Sequence, residues 1–170
     1  MIHTVRIAGQ KKHSSVNGPG VRYVLFLQGC PHNCPECQNP ETHDLSGGTK
    51  TEINSVIQDI LNTRYLDGVT ISGGDPLMQP QACCEIVRQL HEHGINIWLY
   101  TGWTWEQLQQ GAAGKDAIRI LSYIDVLVDG PFLNAQKSDQ VIFRGSTNQR
   151  LIDVQSSLRC GHVTEYSYTS

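Results

Sequence analysis

Short β-rich runs alternate with amphipathic helical patterns along this chain. Residues 21–28 (VRYVLFLQ) form a β-branched and aromatic run that stops at Gly29, which predicts a buried strand. Asn17-Gly18-Pro19-Gly20 reads as the turn that feeds it, and residues 29–48, rich in Pro, Asn and Cys, as the loop that follows. Ile53, Val56, Ile57, Ile60 and Leu61 then fall on one helical stripe, with Thr49 and Glu52 spaced as a capping box ahead of it. Residues 68–72 (GVTIS) predict a second strand, and 80–93 a second helix with Pro at its start and Gly94 after its end. A third strand is expected at 95–100, helical stretches at 105–110 and 116–122, and a fourth strand at 124–128. Residues 141–143 and 151–154 read as short strands, 156–158 as a last helical turn, and 164–170 as a polar, frayed tail.

Strand and helix in this alternation predict parallel βαβ units, an α/β fold. In such sheets ligands bind at the carboxyl ends of the strands. The unusual stretches all fall there: a cysteine loop after the first strand, SGGDP after the second, TGW after the third and DGP after the fourth.

The 170 residues set the expectation of a single domain over 1–170, with its core at about 16–158. A 39% apolar and 17% charged composition suits a globular protein. The longest apolar run, residues 23–27, is too short to span a membrane, and no signal-peptide h-region is visible. A net charge of −3 gives no sign of a nucleic-acid surface. The expectation is a cytoplasmic protein with neither membrane nor nucleic acid as partner.

Six cysteines are present, and three of them, Cys30, Cys34 and Cys37, crowd into GCPHNCPECQNP. In a reducing compartment such a cluster reads as a metal or redox site. A C-x3-C-x2-C segment can wrap a cubane iron–sulfur cluster and offer three sulfurs to three corners, leaving one iron open. The competing reading is a structural zinc site closed by His32, His43 or Cys160. Cys83 and Cys84, adjacent on a helix, point apart and suit no chelate. Ser72-Gly73-Gly74-Asp75-Pro76 lets the backbone approach a ligand closely, although alone it is also a good turn. Asp129, at the rim of the fourth strand, either binds a ribose hydroxyl or cation or shapes the turn before Gly130. Tyr100, Trp103 and Trp105 stack on an adenine or belong to the core.

The cysteine spacing, followed by a Gly-Gly-acidic-Pro loop after a second strand, resembles the radical S-adenosylmethionine (SAM) enzymes. The resemblance implies a shortened, open partial (β/α) barrel of mostly parallel strands. It implies a [4Fe-4S] cluster on Cys30, Cys34 and Cys37, SAM chelating the open iron, and Ser72, Gly73, Gly74, Asp75 and Pro76 binding the SAM amino group. One departure is Glu36, where many members carry an aromatic residue.

VNGPGVR (16–22), SGGDPL (72–77), YTGWTWEQL (100–108), IDVLVDGPF (124–132) and FRGSTNQRLIDV (143–154) together narrow this. They resemble the activating proteins of anaerobic ribonucleoside-triphosphate reductase. That implies a flavodoxin-type reductant and reductive cleavage of SAM to a 5′-deoxyadenosyl radical. The radical acceptor is then a glycine Cα on the large reductase subunit. Another glycyl-radical activase, a small-molecule radical SAM enzyme and a non-catalytic zinc module are the competing readings. Arg144 and Arg150 of FRGSTNQR would contact an acidic partner surface, the SAM carboxylate, or a carboxylate of this chain in a salt bridge.

Overall fold

A computed structural model describes residues 2–32, 37 and 40–168. Seven strands form one open sheet: β1 (Thr4–Ser14), β2 (Arg22–Leu27), β3 (Thr49–Glu52), β4 (Gly68–Gly73), β5 (Ile97–Tyr100), β6 (Val126–Asp129) and β7 (Arg150–Asp153). Their order is β3-β1-β2-β4-β5-β6-β7. The centre, β2-β4-β5-β6, is parallel and runs in chain order. On one side β1 pairs antiparallel with β2 and β3 antiparallel with β1; on the other β7 pairs antiparallel with β6. The sheet does not close.

Among the described residues five α-helices complete the fold: α1 (Ile53–Asn62), α2 (Pro80–Glu92), α3 (Trp105–Gln109), α4 (Lys115–Ile120) and α5 (Val154–Cys160). Strand alternation shows where they lie. Tyr23, Leu25, Leu27, Val69, Ile71, Ile97, Leu99 and Leu127 join the helix side chains in the main core. The neighbours of these residues point the other way, and Trp98, Val126, Val128 and Leu151 form a second, smaller cluster there. Crossovers that keep adding strands in one direction leave the described helices on one face, as in a barrel. Loops and the tail cover much of the inner face, where Arg22, Thr70, Trp98, Val126 and Val128 are at most 2% exposed. Among the described residues no helix is long and apolar enough to cross a membrane.

Arg22 sits on the inner face, 1% exposed. Its guanidinium donates to Thr70 Oγ1 at 2.8 Å, Val69 O at 3.0 Å and Asn96 Oδ1 at 2.9 Å, and lies over the Trp98 ring. Burial pushes its pKa down to about 10, so it stays charged at neutral pH. Through Pro19 O it also pins the turn before β2.

Three expectations fail here. Thr49 and Glu52 belong to β3, paired with Ile7 and Thr4, so they form no capping box, and Glu52 makes no side-chain cap bond. A capping box is found instead at α3, where Thr104 and Gln107 exchange bonds of 2.9 and 3.2 Å. Residues 141–143 are a loop, not a strand. Phe143 has φ +62°, its carbonyl accepts Tyr100 Oη at 2.5 Å, and its ring meets Trp98 edge-on. The tail is tied down through Tyr166. Glu165 bridges Ile152, Tyr166 N donates to Leu151 O at 2.7 Å, and the Tyr166 ring packs on Trp98.

Candidate functional site

The carboxyl ends of the four parallel strands open into one cavity of about 300 Å³ on the inner face. Inner-face positions Phe26, Ser72 and Tyr100 form its floor, as the alternation requires. Cys30, His32, Cys37 and His43 line it from the loop after β2, and Gly130, Phe132, Gly145 and Gln149 from the far side. The cysteine loop, SGGDP, TGW and DGP therefore do share one site. Cys34 and Glu36 lie outside the described residues.

The glycine-rich loop is placed by backbone contact. Gly73 has φ +115°, and a Cβ there would drive into the backbone N and O of Leu27. Gly74 N donates to Leu27 O at 3.0 Å, and Asp75 N to Gly29 O at 2.7 Å. A Cβ on Gly74 would meet Gly29 O and Thr42 O. The two glycines thus zip the loop onto the end of β2, one residue from Cys30, while both still face the cavity.

Ser72, Gly73 and Gly74 line the cavity; Asp75, Pro76 and Asp129 do not. Asp75 is fully buried, and its carboxylate accepts from Leu77 N, Thr101 Oγ1, Gly102 N and His32. Pro76 is buried at the start of a 3-10 turn, Pro76–Met78. Asp129, 1% exposed, accepts Trp105 N at 2.8 Å and Arg150 Nε and Nη2 at 3.1 and 2.5 Å. Arg150 also reaches Glu106 at 2.7 Å. Hydrogen bonds to Asp129 and then Glu106 hold the Arg150 guanidinium pKa above its usual range, and the Arg150 bond pulls the Glu106 carboxyl down. So Arg150 is in a salt bridge of this chain, and that bridge ties the FRGSTNQR segment to the DGP loop and α3.

Gln149 finishes the tie. Its Oε1 accepts Gly145 N at 2.8 Å and its Nε2 donates to Gly130 O at 3.0 Å. Arg150→Leu is expected to leave Asp129 buried with one donor and to lower stability by about 2 kcal/mol, read from the midpoint of urea unfolding.

Lys11, Asn17 and Gln149 also line the cavity, and none was singled out from the sequence. The motifs VNGPGVR and FRGSTNQR contained two of them. Tyr100 lines the cavity, Trp105 is in the core, and Trp103 packs against both the core and the His32 ring. Cys83 and Cys84 are buried residues of α2, and burial pushes both thiol pKa values up, which keeps them as inert thiols. Cys160 is exposed at the end of α5 and does not reach the cavity.

The residues present fit an iron–sulfur group. Two thiol side chains, Cys30 and Cys37, face the cavity, and thiolate is the soft ligand that such clusters take. His43 Nε2, buried in the same wall, has no hydrogen-bond partner among the described residues and is available to a bound group.

Residues 16–152 match the family model described as "4Fe-4S single cluster domain". The chain is also similar to proteins named anaerobic ribonucleoside-triphosphate reductase-activating protein. That of Salmonella typhi is 39% identical over 143 residues, 79% of this chain and 89% of the relative. That of Escherichia coli strain K12 is 37% identical over the same shares. That of Enterobacteria phage T4 is 36% identical, over 80% of this chain and 86% of the relative. Among solved structures the likeness is looser. QueE from Escherichia coli aligns with a TM-score of 0.47 at 17% identity, over 59% of this chain and 53% of that one.

Proposed function

The chain belongs to the family of anaerobic ribonucleoside-triphosphate reductase-activating proteins, and we propose that it activates such a reductase by placing a glycyl radical on it. The observation that carries this reading is the meeting of Cys30 and Cys37 with the 72–74 backbone at one cavity. Cys30, Cys34 and Cys37 would hold a [4Fe-4S] cluster, whose remaining iron would take SAM. Ser72, Gly73 and Gly74 present backbone groups to the SAM amino group, at a point fixed by their zip to Leu27 and Gly29. When bound, the cluster supplies the electron that splits SAM into methionine and a 5′-deoxyadenosyl radical, which takes a hydrogen from a reductase glycine.

The protein's own residues hold and shield. Asp75 and Asp129 act as supports: each binds neighbouring loops and so fixes the walls of the cavity. Phe26, Tyr100 and Phe132 give the cavity apolar surface, which keeps bulk water from a reactive centre. The cavity at the carboxyl ends of the strands is where the macromolecular substrate, the large reductase subunit, presents its glycine. A flavodoxin-type protein is the proposed reductant.

The test is anaerobic reconstitution with iron and sulfide, reduction with dithionite and addition of SAM. The expected product is 5′-deoxyadenosine. A protein that takes up no cluster, or that holds one and leaves SAM intact, would sink this reading.

A further inference from the structure

Asp75 is the point where three strand-end loops meet. Its Oδ1 accepts Leu77 N and Thr101 Oγ1, both at 3.0 Å, and its Oδ2 accepts Thr101 Oγ1 and Gly102 N, both at 2.9 Å. Those bonds join the loops after β4 and β5. A further one comes from the cysteine loop, where His32 Nε2 lies 2.6 Å from Asp75 Oδ2. His32 is two residues past Cys30, lines the cavity, and has a side chain only 14% exposed.

The neighbours make room for this bond. The His32 ring meets Trp103 edge-on, with centroids 4.9 Å apart. Gly102 passes beneath it, and a Cβ at that position would land on the imidazole. A buried carboxylate needs donors, and Asp75 has three without His32: two backbone N–H groups and a hydroxyl. The fold therefore does not depend on the histidine to satisfy Asp75. What the histidine adds is a side-chain bridge between the loop carrying the cysteines and the loop carrying the two glycines.

We propose that His32 and Asp75 form a latch that sets the cysteine loop against the glycine-rich loop, which makes His32 a positioning residue for SAM. The inference rests on the function proposed above, in which one SAM molecule touches both loops. A ligand held at two points binds well only if the two points keep a fixed separation, and looseness well below 1 Å is costly. The latch acts on that separation and leaves the sulfur ligands themselves unchanged. It also gives Asp75 a task different from contact with the SAM ammonium, since its oxygens are already filled by the protein.

The test compares wild type, His32→Phe and His32→Gln, each full length and reconstituted anaerobically. Iron content, SAM affinity by equilibrium dialysis, and the change that SAM makes in the electron paramagnetic resonance spectrum of the reduced cluster are measured. Phenylalanine keeps a ring against Trp103 and loses the bond; glutamine keeps an N–H donor. All three proteins are expected to hold equal iron. His32→Phe should bind SAM about tenfold more weakly, the size of one charge-assisted hydrogen bond, and blunt the SAM-induced spectral change. His32→Gln should recover most of both. Wild-type affinity in His32→Phe, equal weakness in the two variants, or loss of iron from His32→Phe would each overturn the latch. A purely structural role would lower the melting temperature and leave SAM affinity alone, which would also overturn it. A wild type that holds no cluster or binds no SAM refutes the proposed function instead, and takes the latch with it.

Discussion

Cys30→Ala and Cys37→Ala are each expected to give a folded protein that retains no [4Fe-4S] cluster and cleaves SAM at less than about 1% of the wild-type rate. The cysteines are half-buried on a loop over the inner face, whereas the main core lies on the helix side of the sheet. Their loss removes ligands and little packing, so the cluster-free variants should keep stability within about 1 kcal/mol of cluster-free wild type. The same outcome is expected for Cys34→Ala. Iron and sulfide content reads the cluster, circular dichroism reads the fold, and 5′-deoxyadenosine reads the chemistry. A Cys37→Ala protein with full iron and activity would contradict the ligand assignment.

Gly73→Ala is expected to be the most damaging single-methyl change in the site. Gly73 holds φ +115°, a region that L residues rarely adopt, and the added Cβ would strike the Leu27 backbone, which cannot rotate away. The expected loss is about 3 kcal/mol or more, near 10 °C in the melting temperature of the cluster-free protein. SAM binding should be lost with it, because the loop can no longer lie along the end of β2. Gly111→Ala is the control. Gly111 also has a positive φ, +85°, but open space where its Cβ would go. It should cost only the strain of the backbone, about 1 kcal/mol. Equal melting temperatures for the two variants would show that close backbone approach is not what Gly73 provides.

The pattern of apolar residues located the four parallel strands and the two longer helices because each buries a repeating face. It missed β1 for the converse reason. Thr4–Ser14 is mostly polar, with Val5 and Ser14 its only buried residues, and backbone pairing on both sides holds it in the sheet. Pairing with β1 likewise draws Thr49 and Glu52 into a strand, against a local signal for a helix cap. Thr49 and Glu52 pair with Ile7 and Thr4, far away in the chain, and no local window carries that.

The site was legible as a set of loops at one end of one sheet. The roles of its acidic residues were not. Asp75 and Asp129 are short carboxylates at strand ends, where either ligand contact or support is chemically sensible. Which one holds depends on Thr101, Gly102 and His32 for the first and on Trp105 and Arg150 for the second. Those partners lie 21 to 43 residues away. The FRGSTNQR segment shows the same limit. Its arginines read from sequence alike as contacts for a partner, for the SAM carboxylate or for a carboxylate of this chain; in the fold Arg150 is bound to two carboxylates of this chain and Arg144 donates to Gln149 O at 3.2 Å.

Placing a glycyl radical on an anaerobic ribonucleoside-triphosphate reductase is the proposed task of this protein. The most direct measurement is electron paramagnetic resonance of the reductase after anaerobic incubation with the reconstituted protein, reductant and SAM. The expected result is a glycyl radical signal on the reductase that requires all three and is absent with Cys37→Ala. A reductase that stays silent while the protein cleaves SAM and puts a radical on a different glycyl radical enzyme would contradict it.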